Sequence, residues 1–216
     1  MAKIKIALVG LGKIARDPHI PALAANGAFE LAAVASPNHT LSGVANFKDL
    51  PALLQGIPDV AAVALCTPPQ VRYEIARYAL EHGLHVLLEE PPGVTVSEVI
   101  ALADAAKYYG VTLFASWHSR HARGVEPARP WLRERTIRTV TVAWKEDVRI
   151  WHPGQAWIWK ADGLGVFDPG INALSIYEHF GELVRGHDSD VDIAPLQLVA
   201  DAFLCGRRID VAAFVE

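Results

Sequence analysis

Short apolar runs alternate with amphipathic segments along the first half of the chain. The apolar runs predict strands, because each strand of a parallel sheet is buried on both faces. These strands are expected at residues 4–9, 31–35, 59–65, 85–88 and 112–115. The segments between them place apolar residues at helical spacing, which predicts helices from about residue 14 and at 49–54, 70–82 and 97–109. This order indicates an α/β fold with a doubly wound parallel sheet.

The second half of the chain loses this alternation. Residues 136–143 alternate apolar and polar side chains, which predicts a half-buried strand. Asp168 precedes a proline and then an apolar segment, which is typical of a helix start. We therefore predict two domains, the doubly wound sheet at residues 1–120 and a smaller α+β unit at residues 121–216.

Composition narrows the possible partners and the compartment. The chain has 216 residues, is 51% hydrophobic and carries a formal net charge of -4. This mild acidity argues against nucleic acid, which binds basic surfaces. The two cysteines, Cys66 and Cys205, give no disulfide framework and fit a reducing compartment. We find no secretory signal and no run long enough to span a membrane, so we expect a cytoplasmic protein without a membrane partner.

A glycine-rich turn follows the first predicted strand. Gly10, Gly12 and Ala15 form a G-x-G-x-x-A pattern between a buried strand and a helix. Gly10 permits a tight turn, Gly12 lets a pyrophosphate approach the backbone, and Ala15 allows close packing of helix and strand. The alternative is a turn of small residues without a ligand. We expect a dinucleotide site whose contacts here are Gly10, Gly12, Lys13 and Ile14.

The residues after the second strand bear on the choice of cofactor. An NAD site usually has an acid there, which holds the ribose hydroxyls. Here Ser36 takes that place, with Asn38 and His39 nearby, and no carboxylate would repel a 2′-phosphate. We therefore favour NADP, with NAD still possible because no arginine follows directly. The alternative is an ordinary Ser-Pro-Asn turn that binds nothing.

Several motifs together resemble one enzyme family. They are the glycine pattern, "CTPP" at 66–69, "EEPP" at 89–92, "WHSRHA", "WKEDVRIWHPGQAWIW" and "GLGVFDPGINAL" at 163–174. In combination they resemble the Gfo/Idh/MocA oxidoreductases, and within that family the L-arabinose and D-galactose 1-dehydrogenases. The resemblance implies a Rossmann domain followed by a second domain with an open sheet. It also implies oxidation of the anomeric carbon of an aldose to a lactone with NAD(P).

The resemblance assigns roles to residues in both halves. It implies that Asp168 accepts the proton of the reacting hydroxyl and that Asn172 orients the sugar. Without the resemblance, the Asp-Pro pair would favour a helix cap as the role of Asp168. The other residues that it implies divide into a nicotinamide-side set and a sugar-binding set. The nicotinamide-side set is Cys66, Thr67, Pro68 and Glu89, and the sugar-binding set is His118, Glu146, Trp151 and His152. We expect no metal, because the histidine spacing matches no strong ligand pattern.

Glu90 departs from the family pattern. In "EEPP" it occupies the position of the lysine in the family's Glu-Lys-Pro motif, where the lysine assists proton transfer. A negative charge there would remove stabilisation of an alkoxide-like transition state, at a cost of about two to three orders of magnitude in rate. Two alternatives remain open: Glu90 acts as a general base with a pKa raised by burial, or it is a solvated acid without a role.

The second domain also departs from the family, because most of its expected strands are missing between the helix at Asp168 and the last helix. We therefore expect a truncated α+β domain, an incomplete sugar pocket and a homo-oligomer that is possible but not assured. Two other interpretations stay open: a catalytically inactive NAD(P)-binding or regulatory protein, and a truncated gene product without function.

Overall fold

The computed structural model describes residues 2–117, residue 154, residues 183–186 and residue 189. The predicted second domain at 121–216 lies almost entirely outside these residues. The predicted sugar-binding and proton-accepting residues lie outside them as well, namely His118, Glu146, Trp151, His152, Asp168 and Asn172.

Six parallel strands form a single sheet in residues 2–117. The strands are β1 Ile4–Val9, β2 Phe29–Ala35, β3 Ala45–Phe47, β4 Ala62–Leu65, β5 His85–Leu88 and β6 Leu113–Ala115. Their order across the sheet is β3-β2-β1-β4-β5-β6. The chain therefore winds in one direction from β1 to β3 and in the other from β4 to β6. The sheet reverses between β1 and β4, and this is the point at which such folds bind ligands beyond the carboxyl ends of the strands.

Helices connect the strands on both faces. After β1, a turn of π-helix at Ala15–His19 continues into α1 at Ile20–Ala25. The other helices are α2 Leu50–Gly56, α3 Pro69–Glu81 and α4 Val96–Tyr109. Local chemistry sets their ends: Asp49 caps α2 through the N–H of Ala52, and Thr95 and Glu98 form a reciprocal capping box on α4.

The structure confirms the doubly wound sheet and adds one strand that the pattern missed. β3 has only three residues, at the edge of the sheet, and two of them are exposed. Such a strand has no apolar run, so hydrophobic periodicity cannot reveal it. Two strands begin at other residues than predicted: β2 begins earlier, at Phe29, and β4 begins later, at Ala62.

Two buried clusters, one on each face of the sheet, hold this domain together. Alternate residues of β1 contribute to each, with Ala7 and Val9 in one and Ile6 and Leu8 in the other. Val184, from the short segment 183–186, is buried in the second cluster. This segment lies near the edge at β6, where the hydroxyl of Thr112 donates to the carbonyl oxygen of Leu183 at 3.3 Å.

The described residues carry neither a membrane-spanning helix nor a metal-ligand cluster. None of their helices is both long enough and apolar enough to cross a bilayer. Nor do their His, Cys, Asp and Glu side chains gather in threes as metal ligands do.

Candidate functional site

Gly10 lies where the end of β1 meets the loop that follows β4. Its φ is +89°, a conformation that side chains disfavour, and its N–H donates to the carbonyl oxygen of Ala35 at 2.9 Å. A Cβ atom at this position would lie 3.0 Å from the backbone carbon and oxygen of Cys66 and from a methyl group of Thr67. Only glycine fits here without moving backbone.

Gly12 differs from Gly10, because a Cβ atom at Gly12 would meet nothing within 4 Å. The space in front of its backbone is therefore open to a ligand. Ala15 is completely buried, as close packing of the following helix requires. Lys13 and Ile14, between them, are half-buried, and Lys13 forms an ion pair with Asp17. This cradle has the features that a pyrophosphate needs: a tight turn, an accessible backbone and a helix start.

The loop after β2 borders this cradle. We call the cradle and this loop together, residues 10–16 and 36–40, the adenosine side. Ser36 is buried, and its N–H donates to the carbonyl oxygen of Phe47 at 2.9 Å. Asn38 and His39 are exposed. Residues 36–40 contain no carboxylate.

Arg16 is a residue of this side that sequence reasoning missed. Its Nη2 donates to the carbonyl oxygen of Thr40 at 3.1 Å, so an exposed cation lies beside the loop 36–40. The sequence has no arginine directly after β2, where one was expected for NADP. Arg16 instead reaches the loop from the helical segment after β1. Its position one helical turn after Gly12 is the sequence feature that could have indicated a cation near the cofactor cradle.

The loops after β4 and β5 border the other side of the reversal point. We call residues 66–68 and 89–91, with the side chains of His19 and Arg72, the nicotinamide side. Cys66 is half-buried, and its N–H donates to the carbonyl oxygen of Val9 at 2.8 Å. Glu90 is half-buried at the carboxyl end of β5, and its peptide bond to Pro91 is cis.

Glu89 and His19 form a buried pair on the nicotinamide side. Glu89 is 4% exposed and His19 is 1% exposed. Nε2 of His19 lies 2.7 Å from Oε1 of Glu89, and the other oxygen, Oε2, accepts the N–H of Glu90 at 3.2 Å. An ionised carboxylate only accepts, so His19 donates in this bond. The carboxylate of Glu89 is thus bound within the protein, while its predicted contact with a cofactor stays a prediction.

Arg72, on α3, is the buried cation of this cluster. It is 3% exposed. Its Nη2 donates to the carbonyl oxygen of Thr67, and its Nη1 donates to those of Glu89 and Pro91. Arg72 therefore joins the loop after β4 to the loop after β5 through their backbones.

Burial and charge oppose each other in this cluster. Burial lowers the pKa of the Arg72 guanidinium to about 10, although the charge of Glu89 and, less strongly, that of Glu90 oppose the shift. Burial alone would raise the pKa of the Glu89 carboxyl, but His19 and then Arg72 outweigh it, and the pKa falls below its ordinary 4.5. Glu89 is therefore ionised at neutral pH.

Comparison with known families and proteins adds a second kind of observation. Residues 4–116 match the sequence model of the Gfo/Idh/MocA proteins, described as "Oxidoreductase family, NAD-binding Rossmann fold". The chain is also 49% identical to galactose 1-dehydrogenase from Pseudomonas fluorescens, in an alignment that covers 100% of both chains. That alignment runs over 308 positions, many more than the 216 residues here, so the relative has internal residues where this chain has none.

Solved structures show the same relationship. A D-galactose-1-dehydrogenase from Rhizobium etli gives a TM-score of 0.88 at 35% identity, over 100% of this chain and 99% of that one. KijD10, a 3-ketoreductase from Actinomadura kijaniata solved with TDP-benzene and NADP, gives a TM-score of 0.56 at 27% identity. The latter match covers 62% of this chain and 44% of that chain.

Proposed function

Because this chain belongs to the Gfo/Idh/MocA family of oxidoreductases, we propose that it is an NADP-dependent aldose 1-dehydrogenase. In this reaction the C1 hydroxyl group of a cyclic aldose loses its proton, C1 loses a hydride, and the product is the lactone. The proposed partner is thus a small sugar of the galactose or arabinose type. The observation that carries the proposal is the end-to-end similarity to galactose 1-dehydrogenase.

The residues of the cradle fit the proposed cofactor. The backbone at Gly12 is open, and Gly10 and Ala15 bring β1 and the following helix together behind it. When bound, NADP supplies the hydride acceptor at its nicotinamide ring. The preference for NADP over NAD is supported by the absence of a carboxylate in residues 36–40 and by the cation of Arg16 beside them.

The proton-transfer and sugar-binding roles are part of the proposal. We assign Asp168 as the acceptor of the C1 hydroxyl proton and Asn172 as the residue that orients the substrate. His118, Glu146, Trp151 and His152 would bind the sugar, because carboxylates and imidazoles suit hydroxyl groups and an indole suits an apolar sugar face. The motifs "GLGVFDPGINAL" and "WKEDVRIWHPGQAWIW" support these assignments.

Glu90 determines how much activity we expect. It lies at the carboxyl end of β5, close enough to Arg72 to influence the pKa of that group. A negative charge here opposes the developing alkoxide, so we expect turnover to be about two to three orders of magnitude below that of the Glu90→Lys variant.

A second candidate function is an NAD(P)-binding or regulatory protein without turnover. Two observations favour it: Glu90, and the internal residues that this chain lacks relative to galactose 1-dehydrogenase. The cofactor cradle lies within residues 4–116, which the family model matches, so cofactor binding would survive either defect.

A titration followed by an activity assay tests the proposal and separates it from this alternative. The purified protein is titrated with NADPH and NADH by fluorescence. D-galactose or L-arabinose with NADP⁺ is then added, for the native chain and for Glu90→Lys. We expect tighter binding of NADPH than of NADH, and accumulation of NADPH that increases in Glu90→Lys.

The outcomes of these assays differ for each function. Binding of NADPH without turnover in either protein would support the second candidate and overturn the dehydrogenase. Binding of neither nucleotide would overturn both. Tighter binding of NADH would leave the dehydrogenase in place and overturn the cofactor preference alone.

A further inference from the structure

Burying the charged side chain of Arg72 in the protein interior is energetically unfavourable. Placing a guanidinium in the protein interior costs several kcal/mol unless the environment compensates it. Compensation is incomplete here, because the pKa falls to about 10 even though Glu89 is nearby. A buried cation kept under these conditions calls for a purpose other than core packing.

The bonds of Arg72 show what the cation holds. Within the described part of the chain, Arg72 donates to three backbone carbonyl oxygens, those of Thr67, Glu89 and Pro91. They belong to the two loops that carry predicted nicotinamide contacts. A planar guanidinium has donors in fixed directions, so it sets both the distance and the angle between the groups that it binds.

Glu89 extends this arrangement to a third segment. Its carboxylate binds His19, the last residue of the helical turn that follows the glycine cradle. The segments after β1, β4 and β5 are therefore linked at the carboxyl ends of these strands. The reversal point of the sheet, between β1 and β4, lies at the same ends.

We propose that Arg72 is a positioning residue: it fixes the spacing between the loops 66–68 and 89–91, so that the nicotinamide half of the cofactor lies against residue 90. This inference rests on the proposed function, and it deepens that function by separating what holds each half of the cofactor. The adenosine half depends on residues 10–16 and 36–40, none of which touches Arg72 through an observed bond.

Two ligands distinguish this role from general support of the fold. On this proposal NADPH would contact both sides of the site, whereas adenosine 2′,5′-bisphosphate would contact only the adenosine side. Calorimetric titration with each ligand is applied to Arg72→Lys and Arg72→Ala. We expect NADPH to bind about tenfold more weakly to both variants, and the bisphosphate to bind within about twofold of the native protein. Added guanidinium should restore NADPH binding in Arg72→Ala.

Arg77 supplies the matched control, because it lies on the same helix and is exposed. Its Nε donates to Glu81 at 2.9 Å and Tyr73 is a second side-chain partner, and neither belongs to the loops 66–68 and 89–91. Arg77→Ala should bind both ligands with the affinity of the native protein, and added guanidinium should not change that affinity. The inference is overturned if folded Arg72→Lys binds both ligands normally or loses both equally, or if Arg72→Lys does not fold. A native protein that binds neither ligand overturns the proposed function as well.

Discussion

The two sides of the cofactor site are built by different physical means. The adenosine side consists of backbone, small residues and exposed polar side chains, with Gly10 and Gly12 at its centre. The nicotinamide side contains a buried cation, a buried carboxylate and a buried histidine. The carboxylate bonds to the histidine, and the cation bonds to loop carbonyl groups. At the carboxyl ends of the strands, the adenosine side is therefore shaped by glycines without side chains. The nicotinamide side is held by hydrogen bonds of buried side chains.

The difference follows from what each half of a dinucleotide requires. A pyrophosphate binds to backbone N–H groups, so the protein must keep side chains out of its way. A nicotinamide must be oriented towards a reacting carbon to well within an ångström, which demands loops that cannot move independently. Side-chain bonds between loops supply that constraint, at the cost of buried charge.

The largest effect should come from breaking the buried pair on the nicotinamide side. Removing one partner leaves the other without compensation, so Glu89→Ala should lower the free energy of unfolding by about 3–5 kcal/mol. Glu89→Gln retains the size and one acceptor and should cost less. Urea unfolding measures both, and an unchanged midpoint for Glu89→Ala would show that His19 and Arg72 do not depend on this carboxylate.

The same pair makes stability depend on acid pH. The pKa of Glu89 is lowered in the folded protein, so its contribution to stability is complete above the ordinary value of 4.5. It is lost as the pH falls through the lower, folded value. The native protein should therefore lose more stability below pH 4.5 than Glu89→Gln does. Parallel curves for the two proteins would contradict this assignment.

The glycines of the adenosine side should separate folding from binding. Gly10→Ala meets backbone at 3.0 Å and an unfavourable φ, so it should destabilise the fold by roughly 3 kcal/mol. Gly12→Ala meets no protein atom, so its stability should change by less than about 0.5 kcal/mol. Its Cβ would occupy the space in front of the backbone, and NADPH should bind at least about tenfold more weakly.

Gly27→Ala is the control for this pair, because a Cβ atom there also meets nothing within 4 Å. Gly27 precedes β2 at the amino ends of the strands, whereas the cradle lies at their carboxyl ends. It should change neither the unfolding curve nor the affinity for NADPH. Normal NADPH binding by Gly12→Ala would mean that the cofactor does not approach the backbone at this turn.

The smallest effect should be a change of preference at Arg16. Arg16→Gln removes the cation beside residues 36–40, so NADPH should bind about tenfold more weakly, while NADH binding stays within about twofold. Arg16→Lys retains the charge and should lose less. Fluorescence titration measures both cofactors. An equal loss for NADPH and NADH would indicate that Arg16 shapes the loop rather than binding a 2′-phosphate.

Sequence pattern was sufficient for most of the fold of residues 2–117 and for the conformation of the glycine turn after β1. Buried strands and amphipathic helices have periods that can be read directly, and the G-x-G-x-x-A turn has a local cause at each position. β3 escaped because three residues at an edge leave no period. Arg16 escaped because its distance from Thr40 depends on how two separate segments meet.

What the sequence determined by itself is therefore local: where strands and helices run, where a turn needs glycine, and where Glu90 departs from the family motif. The tertiary structure decided which distant residues share the site. His19 and Glu89 are 70 positions apart, yet they form one buried pair, and Arg72 reads as an ordinary helical residue until three carbonyl groups surround it. The reason is physical, because a buried charge is stabilised by partners that only the packing of the sheet and its loops brings within reach.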